Sequence, residues 1–181
     1  MLGRNGFWVF AYGSLLWSPG FEPEEVAPAT LLGFRRSFCV RSLHWRGTPA
    51  APGLVLALDE EPGATCEGLA LRVQDAEAGR VLEDIRAREL VSNAYDERRL
   101  PLRLADGREV DALAYVAKPD HPQYVRLDED MQAVVIARAR GERGPNRDYL
   151  LRTADSLRSL GIRDGGIEAL ASRLAEAGPP P

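Results

Sequence analysis

The chain has 181 residues, 45% of them hydrophobic, and its 23 basic and 27 acidic side chains give a formal net charge of −4. This length suits one compact domain with a substantial core, so we expect a single domain over residues 1–181 whose last residues, 176–181, form a frayed tail. The mild acidity argues against a nucleic-acid or anionic-membrane surface.

The lack of a recognisable targeting signal and the cysteine content together predict a cytoplasmic protein. No apolar signal segment follows the first residues, and no apolar run is long enough to span a bilayer. Cys39 and Cys66 are the two cysteines, and we interpret them as buried thiols in a reducing compartment. We therefore expect no membrane partner.

Short apolar runs bounded by glycine, proline and acidic residues are typical of strands. They predict strands over residues 7–12, 31–45, 54–58, 66–73 and 109–116, with an acidic turn over residues 59–63.

Apolar positions at helical spacing predict four helices. The first follows Asp75 as its N-cap, the second covers residues 128–140, the third follows Asn146 as its cap, and the fourth covers residues 167–174. Three residues of the second helix are predicted to face inward: Met131, Val134 and Val135. Since strands outnumber clean βαβ alternations, the fold class is α+β, with a mostly antiparallel or mixed sheet that could close into a barrel.

Glu89 is the first candidate for chemistry. It continues the apolar stripe of Ala78, Leu82 and Ile85 on the first helix, so its carboxylate is directed at the buried side. Burial raises the pKa of a carboxyl group, which suits a general base that takes a proton from an ammonium group. The alternative is a solvated residue at the helix end, or one paired with an arginine.

Tyr12, Gly13, Ser14 and Leu15 form the second candidate, where a predicted strand ends in a turn. Gly13 lets a ligand approach the main chain, and successive N–H groups in such a turn can bind an anion. The alternative is an ordinary glycine turn. Among the arginines of the following strand, Arg36 is the candidate for holding a substrate carboxylate.

Other chemistries have little support. His44 and His121 are the only histidines and belong to no cluster with metal-ligand spacing, so we expect no metal site. The chain has neither a dinucleotide-binding glycine motif nor a phosphate loop. Ser14 lacks the Gly-x-Ser-x-Gly elbow of an esterase nucleophile.

Six short motifs resemble those of the ChaC-type, glutathione-specific γ-glutamylcyclotransferases, in the same order along residues 7 to 160. They are residues 10–17 (FAYGSLLW), 36–38 (RSF), 44–53 (HWRGTPAAPG), 88–89 (RE), 122–124 (PQY) and 144–150 (GPNRDYL). Two departures stand out. Ala11 replaces a common glycine, and residues 90–95 (LVSNAY) replace a short glycine-tyrosine stretch.

The resemblance implies a γ-glutamylcyclotransferase-like small mixed β-barrel with surrounding helices. It implies a lyase without cofactor or metal that splits a small-molecule substrate, glutathione, into 5-oxoproline and cysteinylglycine. It makes Glu89 the general base. The expected substrate-binding residues are Ala11, Tyr12, Gly13, Ser14, Leu15, Arg36 and Tyr149.

Two alternatives stay open beside this expectation. The chain could cyclise other γ-glutamyl amino acids or amines, since residues 90–95 differ from the family pattern. It could also be a non-catalytic regulator that binds a small anion. The carboxylate at Glu89 argues against the second alternative, because an anion binder gains nothing from a negative charge in its pocket.

Overall fold

The computed structural model describes residues 6–176 of the chain. Contacts divide the chain into two compact units. Met1–Ser37 and Ala57–Lys118 form the first, here called the barrel unit, and Phe38–Leu56 and Pro119–Pro181 form the second, here called the helical unit. The single domain stays a prediction, and the predicted tail lies outside the described residues except for Glu176.

Five strands form a closed barrel in the order β1-β3-β2-β4-β5. Their bounds are Phe7–Ala11 for β1, Glu25–Ser42 for β2, Gly53–Val73 for β3, Tyr95–Leu104 for β4 and Glu109–Ala117 for β5. β1 pairs antiparallel with β3 and parallel with β5, so the sheet is mixed. The predicted α+β class and the mixed barrel are confirmed.

The chain reverses direction inside β3. Its residues 69–73 run antiparallel to β1, whereas Leu58 pairs in parallel with Val116 of β5, which itself runs parallel to β1. Both pairings hold only if the chain turns between residues 58 and 69. Gly63 has a φ of 85° and follows Pro62, as in a type II turn. The acidic turn that the sequence predicts over residues 59–63 therefore lies within β3.

Sequence reasoning missed β4. The strand pairs antiparallel with β5 along its whole length, from Tyr95 opposite Ala117 to Arg103 opposite Glu109. Its signal is the alternation of buried Leu100, Leu102 and Leu104 with exposed residues. Pro101 and the arginines that surround it conceal this period-two pattern.

Four α-helices complete the fold: α1 Ala78–Glu89, α2 Glu129–Arg138, α3 Asn146–Ser159 and α4 Gly165–Glu176. All four predicted helices are confirmed. In the helical unit α2, α3 and α4 pack against one another around buried apolar side chains. Those that are almost fully buried are Ile136, Leu150, Leu157, Leu170 and Leu174. In residues 6–176, none of the helices has the length and apolar character needed to cross a membrane.

Both predicted helix caps, Asp75 and Asn146, are wrong. A 3-10 turn, Asp75–Glu77, precedes α1, and Oδ1 of Asp75 accepts hydrogen bonds from the Gly6 N–H at 2.5 Å and from Arg72 at 3.4 Å. Asn146 is the first residue of α3, and its side chain bonds the main chain of Leu54. Both side chains therefore bond main-chain groups far away in the sequence and not the free N–H groups at the start of a helix.

The inward orientation predicted for α2 is also wrong in part. Asp128 caps this helix through a 2.8 Å bond from the Met131 N–H, but Met131 and Val134 are 49% and 45% exposed. Ile136 is the buried side chain of α2. The helix therefore buries a different stripe from the one predicted.

Candidate active site

The loop after β1 is fixed at both ends by hydrogen bonds. β1 ends at Ala11, and Ser14–Leu16 form a single 3-10 turn in which the Leu16 N–H donates to Gly13 O at 3.0 Å. The phenol of Tyr12 donates to the main-chain oxygen of Tyr115 at 2.7 Å. The first N–H groups of a helical turn have no acceptor within it, so this loop can offer donors to an anion.

The guanidinium of Arg36 is directed at the main chain of this loop. Its Nε donates to Tyr12 O and its Nη2 donates to Glu67 O, each at 2.5 Å. Arg36 therefore joins the loop to β3. The structure accordingly gives Arg36 a supporting role for the loop, and contact with a substrate carboxylate stays a prediction.

Glu89 is the last residue of α1, and the buried stripe of that helix leads to it. Ala78, Leu82 and Ile85 are buried, and the Glu89 side chain is 17% exposed. The C-terminal end of a helix carries partial negative charge, which disfavours a carboxylate there. Arg86 and Arg88 in the same last turn offset this unfavourable charge.

Arg88 connects Glu89 to the loop. Its Nε lies 3.2 Å from Oε1 of Glu89. The same guanidinium donates through Nη1 to Ser18 O at 2.6 Å and through Nη2 to the Ser14 hydroxyl. Sequence reasoning named Arg88 only as a neighbour of Glu89. Its signal was its place in the Arg-Glu pair, but its three acceptors lie as far as 74 residues away.

A second polar group, formed by Tyr115, Glu97 and Arg86, was missed by sequence reasoning. The Tyr115 hydroxyl donates to Oε2 of Glu97 at 3.1 Å, and Arg86 holds Glu97 with two bonds of 2.8 and 2.6 Å. Burial, together with the negative charges of Glu97 and Glu89, raises the pKa of Tyr115 far above its ordinary value. The hydrogen bonds from Arg86 lower the pKa of Glu97. Tyr115 is therefore a neutral phenol and Glu97 an ionised carboxylate.

The structure thus brings most of the predicted residues together within the barrel unit. Arg36 donates to Tyr12 O of the loop, and Arg88 joins the Ser14 hydroxyl of the loop to Glu89. Tyr149 lies in the helical unit, where it is buried. Its hydroxyl accepts a bond from the Leu56 N–H at 3.3 Å, and its ring meets Phe38 edge-on at 6.0 Å. A substrate contact of Tyr149 stays a prediction.

Among residues 6–176 no group of three or more His, Cys, Asp or Glu side chains is arranged to hold a metal ion. Among its other groups, the barrel unit offers the partly buried Glu89 carboxylate, the main-chain N–H donors of the loop after β1, and the guanidinium groups of Arg36 and Arg88.

Comparison with known proteins identifies the family of the chain. The family model described as "ChaC-like protein" matches residues 7–177. The chain belongs to the ChaC-like family.

Curated relatives resemble the chain over most of its length. A protein of Escherichia coli K12 named glutathione-specific gamma-glutamylcyclotransferase is 37% identical over 167 residues, which cover 90% of this chain and 70% of that protein. The human protein named glutathione-specific gamma-glutamylcyclotransferase 1 is 34% identical over 160 residues, covering 87% and 72% of the two chains. An Arabidopsis thaliana protein named gamma-glutamylcyclotransferase 2-3 is 33% identical over 178 residues, covering 92% and 87%.

A solved structure agrees with the fold of this ChaC-like chain. The selenomethionine-labelled yeast cyclotransferase described as specific to glutathione superposes with a TM-score of 0.87 at 24% identity, and the match covers 95% of this chain and 96% of the yeast chain. At this identity the likeness concerns the fold alone.

Two of the ChaC-like motifs meet within the helical unit and have a structural role there. The Asn146 amide accepts from the Leu54 N–H at 2.6 Å and donates to Leu54 O at 2.7 Å, so it replaces a strand partner for that residue. The Arg46 guanidinium donates to the main-chain oxygens of Arg143 and Pro145 and lies 5.5 Å from the centre of the Tyr149 ring. These contacts give Arg46 and Asn146 a structural role in the helical unit.

The departure after Glu89 has a structural explanation. Asn93 has a φ of 56°, the left-handed conformation that glycine adopts without strain and that asparagine tolerates better than most residues. Its side chain accepts a 2.8 Å bond from Lys118. The turn can therefore form here without the glycines that are common in ChaC-type proteins.

Proposed function

We propose that this chain is a γ-glutamylcyclotransferase that converts glutathione into 5-oxoproline and cysteinylglycine, with Glu89 as the general base. The observation that carries the proposal is the partly buried Glu89 carboxylate, which Arg88 joins to the Ser14 hydroxyl of the loop after β1. The names of the relatives support the substrate. Cys39 and Cys66, two buried thiols, are consistent with the cytoplasm as the proposed location.

The reaction exchanges one C–N bond for another within a single substrate molecule. The α-amino nitrogen attacks the γ-carbonyl carbon and closes a five-membered ring, and the amide bond to the cysteinyl nitrogen then breaks. Both reacting atoms belong to the same molecule, so the main task of the protein is to hold the substrate in a folded, near-attack shape.

Glu89 carries the proton through this sequence. The α-amine is protonated at neutral pH and becomes nucleophilic only when a base removes a proton. Glu89 takes that proton and returns it to the cysteinyl nitrogen as it leaves. The ring nitrogen loses a second proton when the lactam forms, and this proton passes in the same way to the released amine, which becomes an ammonium group, so the carboxylate is regenerated at the end. No water is consumed and no electron is transferred, which is the balance of a lyase.

The loop after β1 stabilises negative charge on the substrate. Main-chain N–H groups of residues 12–15 are suited to bind either the α-carboxylate or the oxyanion that develops on the γ-carbonyl oxygen. Arg36 supports this role by holding Tyr12 O, and Tyr12 supports it through its bond to Tyr115. In both cases the loop is fixed before the substrate arrives.

The test is incubation of the purified protein with glutathione, with both products followed by mass spectrometry. Wild type should release 5-oxoproline and cysteinylglycine in equal amounts. Glu89→Gln should keep the fold and bind glutathione in calorimetry, but lose at least about 10²-fold in turnover. Glu83→Gln, on an exposed face of the same helix, is the matched control and should turn over like wild type.

Other γ-glutamyl compounds are the second candidate, because residues 90–95 differ from the family pattern. A panel of γ-glutamyl amino acids and γ-glutamylamines tests it. Turnover of these compounds without turnover of glutathione would replace the proposed substrate. Failure on the whole panel, with binding retained, would favour a non-catalytic binder of small anions.

A further inference from the structure

We propose that the Arg86–Glu97 ion pair, together with the Tyr115 hydroxyl, is a positioning group that sets how strongly Glu89 holds a proton. The inference rests on the proposed role of Glu89 as the general base and deepens it. It assigns a function to three residues that lie outside the motifs of the chain.

Arg86 stands three residues before Glu89 on α1, and residues at this spacing are neighbours on a helix surface. Arg86 binds Glu97 of β4 through Nε and Nη2, at 2.8 and 2.6 Å. The positive member of the ion pair therefore stands on the same helix as Glu89, about one turn before it.

Tyr115 of β5 is 1% exposed, and its hydroxyl donates to Oε2 of Glu97 at 3.1 Å. The charge of Glu89 also reaches this hydroxyl, since it contributes to the raised pKa of Tyr115. Two carboxylates thus lie near one neutral phenol, whose single proton is used by Glu97.

The charged and titratable groups that the described contacts link to Glu89 include Arg86 and Arg88 on α1, Glu97 on β4 and Tyr115 on β5. Glu97 alone would disfavour the charged form of Glu89, and Arg86 alone would favour it. As a bidentate pair their effects largely cancel. The pair therefore holds the proton affinity of Glu89 between two extremes, which a group that both takes and returns a proton requires.

Removing the negative charge of Glu97 and removing the positive charge of Arg86 should therefore shift the titration of Glu89 in opposite directions. Glu97→Gln removes the negative charge but keeps the size of the side chain and an oxygen that can accept from Tyr115. It should shift the titration of Glu89 to lower pH by about one unit, as expected for a nearby unit charge. Arg86→Gln should shift it to higher pH by a similar amount. The double variant should return close to wild type.

The experiment is a carbon-13 NMR titration of protein labelled at the glutamate side-chain carboxyl carbons, at low ionic strength. The Glu89 signal is assigned by its absence in Glu89→Gln. Thermal unfolding of each variant shows over which pH range it is folded. If Arg86→Gln does not fold, Glu97→Gln alone decides, because its predicted shift has a definite sign.

Opposite shifts in the two single variants, with recovery in the double variant, would support the proposal. Shifts of one sign, or a Glu89 titration that does not move, would overturn it. The acid limb of kcat/KM for glutathione, measured on the same variants, should follow the NMR titration. NMR reports on Glu89 without turnover, so the two proposals can fail separately. If the proposed function is wrong but this inference is right, the variants will titrate as described and wild type will not cleave glutathione.

Discussion

Nε of Arg88 lies 3.2 Å from Oε1 of Glu89, the next residue in the chain. Successive residues on a helix do not normally face each other, so this contact is unusual. The other nitrogens of that guanidinium donate to the Ser14 hydroxyl and to Ser18 O. A single side chain thus connects the proposed base to the loop that is proposed to bind the substrate. The position of Glu89 relative to the loop depends on Arg88.

Replacing Arg88 should therefore impair catalysis more than stability. We expect Arg88→Met to lower kcat/KM for glutathione by about 10²-fold, since displacement of a catalytic group by about 1 Å has an effect of this size. Arg88→Lys should recover only part of the loss, because an ammonium group lacks the planar fork of a guanidinium.

The matched control is Arg80→Met on the same helix. Arg80 forms exposed ion pairs with Glu77 and Asp84, which contribute little. Steady-state kinetics and thermal unfolding of the three variants check the prediction. Equal activity of Arg88→Met and Arg80→Met would show that Arg88 does not position Glu89.

Arg36 should matter for the stability of the loop. Its bonds to Tyr12 O and Glu67 O are charge-assisted, so we expect Arg36→Met to lower the free energy of unfolding by about 2 kcal/mol and to reduce turnover. Arg41→Met, an exposed position on the same strand, is the control. Urea unfolding and kinetics separate two roles. A higher KM with unchanged stability would indicate contact with the substrate and no support of the loop.

Gly47 should not tolerate a side chain. A Cβ atom there would lie 2.5 Å from Ser42 O and would overlap the main-chain nitrogen of Gly53. We expect Gly47→Ala to lower the free energy of unfolding by about 3 kcal/mol or more, since backbone atoms cannot move aside at low cost. The control is Gly79→Ala in α1, where a Cβ meets open space. It should be neutral or stabilise the helix by up to about 1 kcal/mol. If Gly47→Ala left the free energy of unfolding unchanged, the close packing of Gly47 against Ser42 and Gly53 would be contradicted.

Glu97 should make stability depend on pH in the acid range. Hydrogen bonds from Arg86 lower its pKa in the folded chain, so the folded state favours the ionised form. Its contribution is complete above the ordinary pKa of a glutamate, about 4.3, and is lost as the pH falls through the lower pKa of the folded state. Near neutral pH we expect the free energy of unfolding of wild type to exceed that of Glu97→Gln by about 1 kcal/mol, a value that allows for the exposure of Arg86. This difference should become progressively smaller in acid.

Urea unfolding at a series of pH values checks this prediction. The same substitution at the exposed Glu83 controls for the loss of one carboxylate. A difference between wild type and Glu97→Gln that stays constant down to the most acid pH would mean that the ion pair does not contribute in this way.

The sequence alone determined the helices, most of the strands and the residues proposed for chemistry. The stripe of Ala78, Leu82 and Ile85 directs Glu89 to the buried side because a helix repeats every 3.6 residues. The strand that ends in Tyr12 and Gly13 is recognised for a similar local reason. Such signals lie within about ten residues of each other, so no tertiary information is needed to detect them.

Only the tertiary structure decided which polar side chains support Glu89. Arg88 reaches back to Ser14, Arg86 crosses to Glu97, and Tyr115 joins Glu97 from another strand. Asp75 and Asn146, predicted as helix caps, bond Gly6 and Leu54 instead. Hydrogen bonds between residues far apart in the chain leave no periodic pattern in the sequence. A polar side chain also has several possible partners of similar energy, and the packed fold determines which of them lies within reach.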